Sequence, residues 1–399
     1  MQENINVVVI GGGYSGVMAA NRLTQSADVT VTLVNPRPDF VERVRLHQLV
    51  GHTHTAVRAF RDVLSERVRL VVDAVTRIDA AARAVELASG ATMAYDHLVY
   101  AVGSDSAPAH VPGAAEYAHP TASLEDARKL RAVVDRSPAP APITVVGGGP
   151  LGIEMAAELA EGGRAVTLVC GEQLGPYLHP SGRRSVASGL ARLGVRVLDG
   201  PGAKVAEVTA ESVRLADGRE LESAVTIWAA GFAASGLAAR SGLRTDAAGR
   251  LLVDETLTSV DDARIVATGD AAAPSGLPLR MSCQAALPLG SHAADTILSR
   301  ISGEQPAEFT RGIAAMCVSL GRRAGVFQLA RFDDTAMRLH VPGRLGAVLK
   351  EAACASPIDQ LAKEARKPGS HSWIVKDSKR GERVAAQRAA GLAVAERAG

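Results

Sequence analysis

Aromatic side chains are scarce. Phe, Trp and Tyr make up 3% of the 399 residues. Lysine is rarer still, with seven residues, five of them between Lys350 and Lys379. There are four cysteines, Cys170, Cys283, Cys317 and Cys354. None forms a CxxC pair and none stands at zinc-ligand spacing from a histidine, so no metal centre and no local dithiol is expected. That usage fits a reduced, cytoplasmic protein. Excess charge of one sign is also missing: 44 basic residues face 42 acidic ones, a net +2. Nucleic acid is therefore not expected as a partner. No apolar run approaches the ~20 residues of a membrane span. The opening Met1-Gln2-Glu3-Asn4 lacks the basic start and apolar stretch of a secretory leader.

At ~100–200 residues per domain, the length corresponds to two or three domains. Hydrophobic residues make up 47%, and the mean hydropathy of +0.09 is carried by Ala, Val and Gly. Glycine is the most telling residue. Among the 39 glycines are two triplets, Gly11–Gly13 and Gly147–Gly149. Val7–Ile10 is a short apolar run of the kind that forms a buried parallel strand. A glycine turn, a helix over 17–23 and a second strand over 29–34 follow, which makes a βαβ unit. After Pro138–Pro142 the pattern restarts. Residues 143–146 read as a strand, 153–159 as a helix and 166–169 as a strand. Residues 68–75 and 84–87 read as a small β-meander, repeated by 203–208 and 212–215. Further strands are expected at 98–102, 225–229, 251–253 and 264–267. From about Thr310 the pattern changes to a small α+β module, with strands at 316–320 and 326–330 and a helix over 379–398.

Gly11-x-Gly13-x-x-Gly16 fits a dinucleotide fingerprint. The first glycine permits the tight turn, the second admits a pyrophosphate, and the third lets helix and strand pack closely. The helix start, with Tyr14 and Ser15, offers free N–H groups to the anion. The acid expected at the end of the second strand is replaced by Asn35, whose amide can still bond a ribose hydroxyl. Gly147-x-Gly149-x-x-Gly152 repeats the logic, with Pro150 and Leu151 in the turn. Glu154 either gains from the helix dipole or meets the nicotinamide edge of a bound cofactor. Here the acid position is Cys170. Glu172 is the nearest substitute, and Arg183 and Arg184 are candidates for a 2′-phosphate. NADH and NADPH both remain open.

These residues resemble the two-dinucleotide-binding flavoprotein superfamily of pyridine nucleotide oxidoreductases. Within it, the chain is most similar to type II NADH dehydrogenases and to the apoptosis-inducing-factor-like coenzyme Q reductases. The likeness extends over nearly the whole chain. Tyr95–Ser104, with Gly103, resembles the family's crossing segment, and Ile227–Phe232, with Gly231, its second copy. Ile265–Asp270 is similar to the late flavin motif, which implies that Gly269 and Asp270 meet FAD, the aspartate at the ribitol. Cys283–Gly290 is similar to the helix beside the flavin, and Ala285 is expected in the cofactor site. Gln284 takes the place of the first of two glutamines that the dehydrogenases hold near quinone. Pro288 and Leu289 stand where the second would be. The helix dipole would favour negative charge on a reduced flavin.

Disulfide reductases of this superfamily carry a cysteine pair where this chain has Phe40–Val50, without cysteine, so a dithiol shuttle is not expected. Arg43, Arg45 and His47 occupy that stretch as candidates to face the flavin or bind an acceptor, with a covalent flavin link through His47 as the outlying alternative. Cys283 is either redox-active or a small buried hydrophobe.

The resemblance implies an α/β protein with two Rossmann-like domains in a glutathione-reductase-like arrangement. An FAD-binding domain would span 1–107 and 247–309, an NAD(P)H-binding domain 108–246, and a C-terminal domain 310–399. The implied reaction takes a hydride from NAD(P)H and passes electrons to a quinone or quinone-like small-molecule acceptor. Two alternatives stand beside it: a flavoenzyme for a specialised metabolite with lost NAD(P)H use, and a redox-sensing interaction protein. Lys363–Arg388 carries eight basic and three acidic residues. It is a candidate for peripheral membrane contact, or simply a solvated helix end. Monomer and homodimer both remain open.

Overall fold

A computed structural model describes residues 4–107 and 109–398, with side chains as far as residue 389. The expectation about the first residues falls largely on 1–3, outside those described. Two five-stranded parallel sheets dominate. The first runs in the order Ile265–Ala267, His97–Tyr100, Ile5–Ile10, Val29–Asn35, Val68–Val72. The second runs Ala118–Pro120, Val225–Trp228, Ile143–Val146, Val166–Val169, Arg196–Leu198. In each, the strand that leads into a glycine turn is central. Burial on both faces explains the unbroken apolar runs at 7–10 and 143–146.

The duplication holds at the level of single bonds. The Gly11 amide donates to the Val34 carbonyl at 2.9 Å, and the Gly147 amide to the Val169 carbonyl at 2.8 Å. Both helices that follow begin earlier than expected, at Tyr14 and Pro150. Gly13 and Gly149 are their N-caps, so the turns themselves supply the first helical residues.

One correction concerns the meanders. Val68–Val72 is the outermost strand of the first parallel sheet, because Val68 buries against that sheet's core. The meander itself is Val75–Asp79, Ala84–Leu87 and Thr92–Ala94. Its counterpart is Val205–Val208, Ser212–Leu215 and Glu220–Glu222, while Ala203 ends a short 3-10 turn. Pro138–Pro142 links the Leu124–Arg136 helix to Ile143 inside the second sheet's module.

The C-terminal sheet has three antiparallel strands, Ala315–Ser319, Gly325–Ala330 and Ala336–Pro342. A 24-residue helix, Gly343–Arg366, packs on it. The sequence reading missed the third strand and this helix. The strand is largely exposed and the helix carries Pro357, so neither shows a clean apolar period.

Two large cores result. The second contains Ile143, Leu168 and Ile227, together with Val318 and Val326 from the C-terminal sheet. It also contains Leu46, Leu49 and Val50, a short helix that sequence order assigns to the first module.

Candidate functional site

A cleft of ≈ 1270 Å³ runs between the two parallel sheets and is lined by both glycine turns. A methyl group added at Gly11 would meet the Ala101 carbonyl oxygen at 2.4 Å, and one at Gly147 the Ala229 oxygen at 2.6 Å. At Gly16 and Gly152 it would meet the Gly11 and Gly147 carbonyl oxygens at 1.9 Å. Gly16 and Gly152 therefore lie beneath the cleft and pack helix onto strand. Gly13 and Gly149 differ: nothing lies within 4 Å of either added methyl, and both glycines line the cleft. Neither helix start carries a side-chain cap, so backbone N–H donors remain for a ligand. Two open, donor-rich turns facing one cleft fit two pyrophosphates.

Tyr14, Ser15, Asn35, Arg43 and Gly103 line the first half of the cleft, and Pro150, Leu151 and Gly231 the second. Asn35 accepts from the Gly12 amide at 2.9 Å and donates to the Arg37 carbonyl at 2.8 Å. Its first task is holding the turn. Arg37 itself is engaged by Glu125, with Nε 2.7 Å from the carboxylate. Asp270 lines the cleft and accepts from the Ser104 hydroxyl at 2.7 Å. Arg43 donates to the Ser104 carbonyl at 2.6 Å. Gly269 lies behind, where an added methyl would strike Ser15 Oγ at 2.4 Å.

Cys170 lines the second half. Burial, reinforced by Asp199, pushes its thiol up to about 12. Glu172 does not take over the ribose position: its carboxylate lies 2.6 Å from Lys204 on an exposed surface. Arg183 donates to the Leu178 carbonyl at 3.1 Å, and neither Arg183 nor Arg184 lines the cleft.

Glu154, Lys350 and His47 line the cleft as a buried cluster. Glu154 Oε1 lies 2.7 Å from Lys350 Nζ and accepts from the Ser319 amide at 3.0 Å. His47 Nδ1 is 3.7 Å from the other Glu154 oxygen, and His47 Nε2 is 3.4 Å from Ser319 Oγ. Burial alone would raise the Glu154 carboxyl, but the Lys350 ammonium, helped by the Ser319 amide, outweighs it and holds it below the ordinary range. Burial would likewise lower Lys350, and Glu154 reverses this, so the ammonium stays charged. Burial pushes His47 down to about 4, with Glu154 opposing, which leaves the imidazole neutral.

Gln284 and Cys283 line the cleft at the start of the Cys283–Ile301 helix. Burial pushes the Cys283 thiol up to about 12. At that value it is protonated near neutral pH, as a small buried hydrophobe would be. Two expected contacts are corrected. Ala285 does not line the cleft, and its amide donates to the capping Ser282 hydroxyl at 3.2 Å. Arg45 is turned away, its guanidinium bonded to Glu42 at 3.2 Å and Glu351 at 2.5 Å. Pro288 and Leu289 are buried, so no second polar group enters from that turn.

Sequence reasoning missed Lys350, Cys354 and Cys317, which all line the cleft. The available signal was Lys350 and Cys354, four residues apart and thus on one helix face. Tyr14 was expected, yet its situation was not: the hydroxyl is buried without a partner, and the ring meets Phe40 edge-on at 5.1 Å.

The sequence profile described as pyridine nucleotide-disulphide oxidoreductase matches residues 5–292. An NADH dehydrogenase-like protein of Mycobacterium tuberculosis is 32% identical over 324 residues, covering 73% of this chain and 80% of its own. A type II NADH:quinone oxidoreductase of Staphylococcus haemolyticus is 28% identical over 369 residues, covering 82% and 90%. The structure of NDH2 from Plasmodium falciparum in complex with NADH superposes with a TM-score of 0.75. It covers 92% of this chain and 99% of that one at 15% identity, a likeness of fold.

Proposed function

The chain belongs to the pyridine nucleotide-disulphide oxidoreductase family, and from that premise we propose that it oxidises NAD(P)H and reduces a quinone or quinone-like acceptor. The observation that carries the reading is one cleft lined by two glycine turns, Asp270 and the Glu154–Lys350 pair. FAD, when bound, supplies the redox chemistry by accepting a hydride and releasing electrons to the acceptor.

The module of residues 1–107 and 247–309 binds FAD, with Gly11–Ser15 at the pyrophosphate and Asp270 at the ribitol. The module of residues 108–246 binds NAD(P)H at Gly147–Leu151. Residues 310–399 close the cleft and supply Lys350. Met316, Phe327 and Ala353 give an apolar wall suited to a flat acceptor. Forming a quinol adds two electrons and two protons, and Lys350 holds a proton at Nζ on that wall. Anaerobic stopped-flow mixing tests the reading: NADH bleaches the yellow protein rapidly, and a soluble quinone restores the colour. Colourless protein that takes up no FAD overturns it.

Relatives named as quinone oxidoreductases support a quinone acceptor. Among the described residues no helix is long and apolar enough to cross a membrane. Two of the tail's eight basic residues are tied to carboxylates, while Lys363, Arg366, Lys367, Lys376, Lys379 and Arg388 are exposed. Arg380 is 2% exposed, with Nε 2.6 Å from Glu255, and Arg383 is paired with Asp377. A surface that adds apolar groups is Phe332, Met337, Leu339, Leu345 and Val348, all exposed. Arg331, Arg338 and Arg344 are exposed beside them, which suits an anionic bilayer. In flotation with phosphatidylglycerol vesicles, the protein rises with the lipid. The triple variant Leu339→Ser, Leu345→Ser, Val348→Ser stays behind, and replacing Lys363, Arg366, Lys367, Lys376 and Lys379 together by serine has no effect. Loss of flotation on that replacement alone returns the contact to the tail.

A further inference from the structure

Nucleotide-binding modules of this design choose between NADH and NADPH at the end of the second strand. A carboxylate there accepts from the adenosine ribose hydroxyls and repels a 2′-phosphate, and a nearby cation does the reverse. In this chain Cys170 occupies that end, and its neighbours fix it in place. A methyl added at Gly148 would meet Cys170 Cβ at 2.9 Å and the Gln173 carbonyl oxygen at 2.6 Å. Cys170 therefore packs directly against the phosphate turn. Held protonated by burial beside Asp199, it is a weak hydrogen-bonding group with no charge.

The surrounding charges are engaged elsewhere. Asp199 accepts from the Leu174 amide at 3.4 Å, which holds the 171–175 loop. Glu172 is paired with Lys204. None of these three lines the cleft. The Glu172–Lys204 pair is solvent-exposed, with 70% and 59% of the side chains accessible, so loosening it costs little. Lys204 is the one cation of the group, and only its exposed pair with Glu172 has to open for it to face a phosphate, while Asp199 offsets part of its field.

We propose that this site does not select against the 2′-phosphate, so that NADH and NADPH serve equally as donors, with Cys170 as the residue that removes selectivity and Lys204 as the countercharge. The inference rests on the NAD(P)H reading of the second module. The test is calorimetric titration of the FAD-loaded protein with NAD⁺ and NADP⁺, which bind without reacting. The two dissociation constants are expected to agree within about tenfold, the scale of one hydrogen bond to a charged group. C170E is expected to tighten NAD⁺ and weaken NADP⁺ by about tenfold each. K204E, a surface change that leaves the fold intact, is expected to weaken NADP⁺ by about tenfold and leave NAD⁺ unchanged. A wild-type preference beyond tenfold in either direction overturns the inference and leaves the dinucleotide reading standing. So does a K204E protein with an unaltered ratio. Binding of neither nucleotide overturns both.

Discussion

Lys350→Met is expected to be among the most damaging single substitutions outside the glycine turns. The side chains of Glu154 and Lys350 are 7% and 10% exposed, so each ion relies on the other rather than on water. Removing the ammonium leaves a buried carboxylate with the Ser319 amide and a neutral imidazole. Breaking such a pair costs about 3–5 kcal/mol. The sign of the pH effect follows. Glu154 in the folded protein sits below the ordinary carboxyl range. Its contribution is therefore full above that range and is lost as pH falls through the lowered value. Without Lys350, burial dominates and the carboxyl takes up a proton nearer neutrality, so acid unfolding of the variant begins at higher pH. Adding Glu154→Gln removes the stranded charge, and the double variant recovers most of the loss. Chemical denaturation of the three proteins across pH reads all of this. A double variant no more stable than Lys350→Met would show that the pair does not carry the stability. Quinone reduction by either variant is expected to fall by about 10²-fold, the lower end for a lost proton donor, while bleaching by NADH persists.

Gly152→Ala and Gly16→Ala are expected to separate the two halves of the reaction. In each, the new methyl falls 1.9 Å from a backbone carbonyl oxygen of the fingerprint's own first glycine. No flexible side chain can yield there, so the helix lifts from its strand and the N–H donors move off the pyrophosphate. A displacement of ~1 Å at such a site costs about 10²-fold. Gly152→Ala keeps a full complement of flavin and loses nicotinamide binding by that factor. Gly16→Ala emerges with little flavin. The ratio of flavin to protein absorbance, followed by NAD⁺ titration, distinguishes them. If Gly152→Ala protein were the flavin-free one, the assignment of cofactors to modules would be reversed.

The glycine turns were legible because their demands are local. A positive φ at Gly11 and Gly147 and a bare α-carbon at Gly16 and Gly152 leave one residue type each. The apolar runs that feed them were legible for the same reason. Lys350 was not, since its meaning comes from Glu154, a partner 196 positions earlier in the chain. Arg45 was misread toward the cleft for a related reason. Its neighbours in sequence line the cavity, but Glu351 on the distant C-terminal helix draws its guanidinium away. Val68–Val72 was taken into the meander because the adjoining strands are both short and apolar. Only its register with Val31–Asn35 separates them.

The Leu46–Val50 helix lies between strands of the first sheet in sequence and within the core of the second in space. Swinging one module away from the other would therefore tear open a hydrophobic core rather than flex a linker. Arg37–Glu125 fastens the same seam from outside, and Arg45–Glu351 ties the start of that helix to the C-terminal helix. The nucleotide must then enter a mouth that is already shaped. No closure of one module over the other would then be needed between binding and hydride transfer.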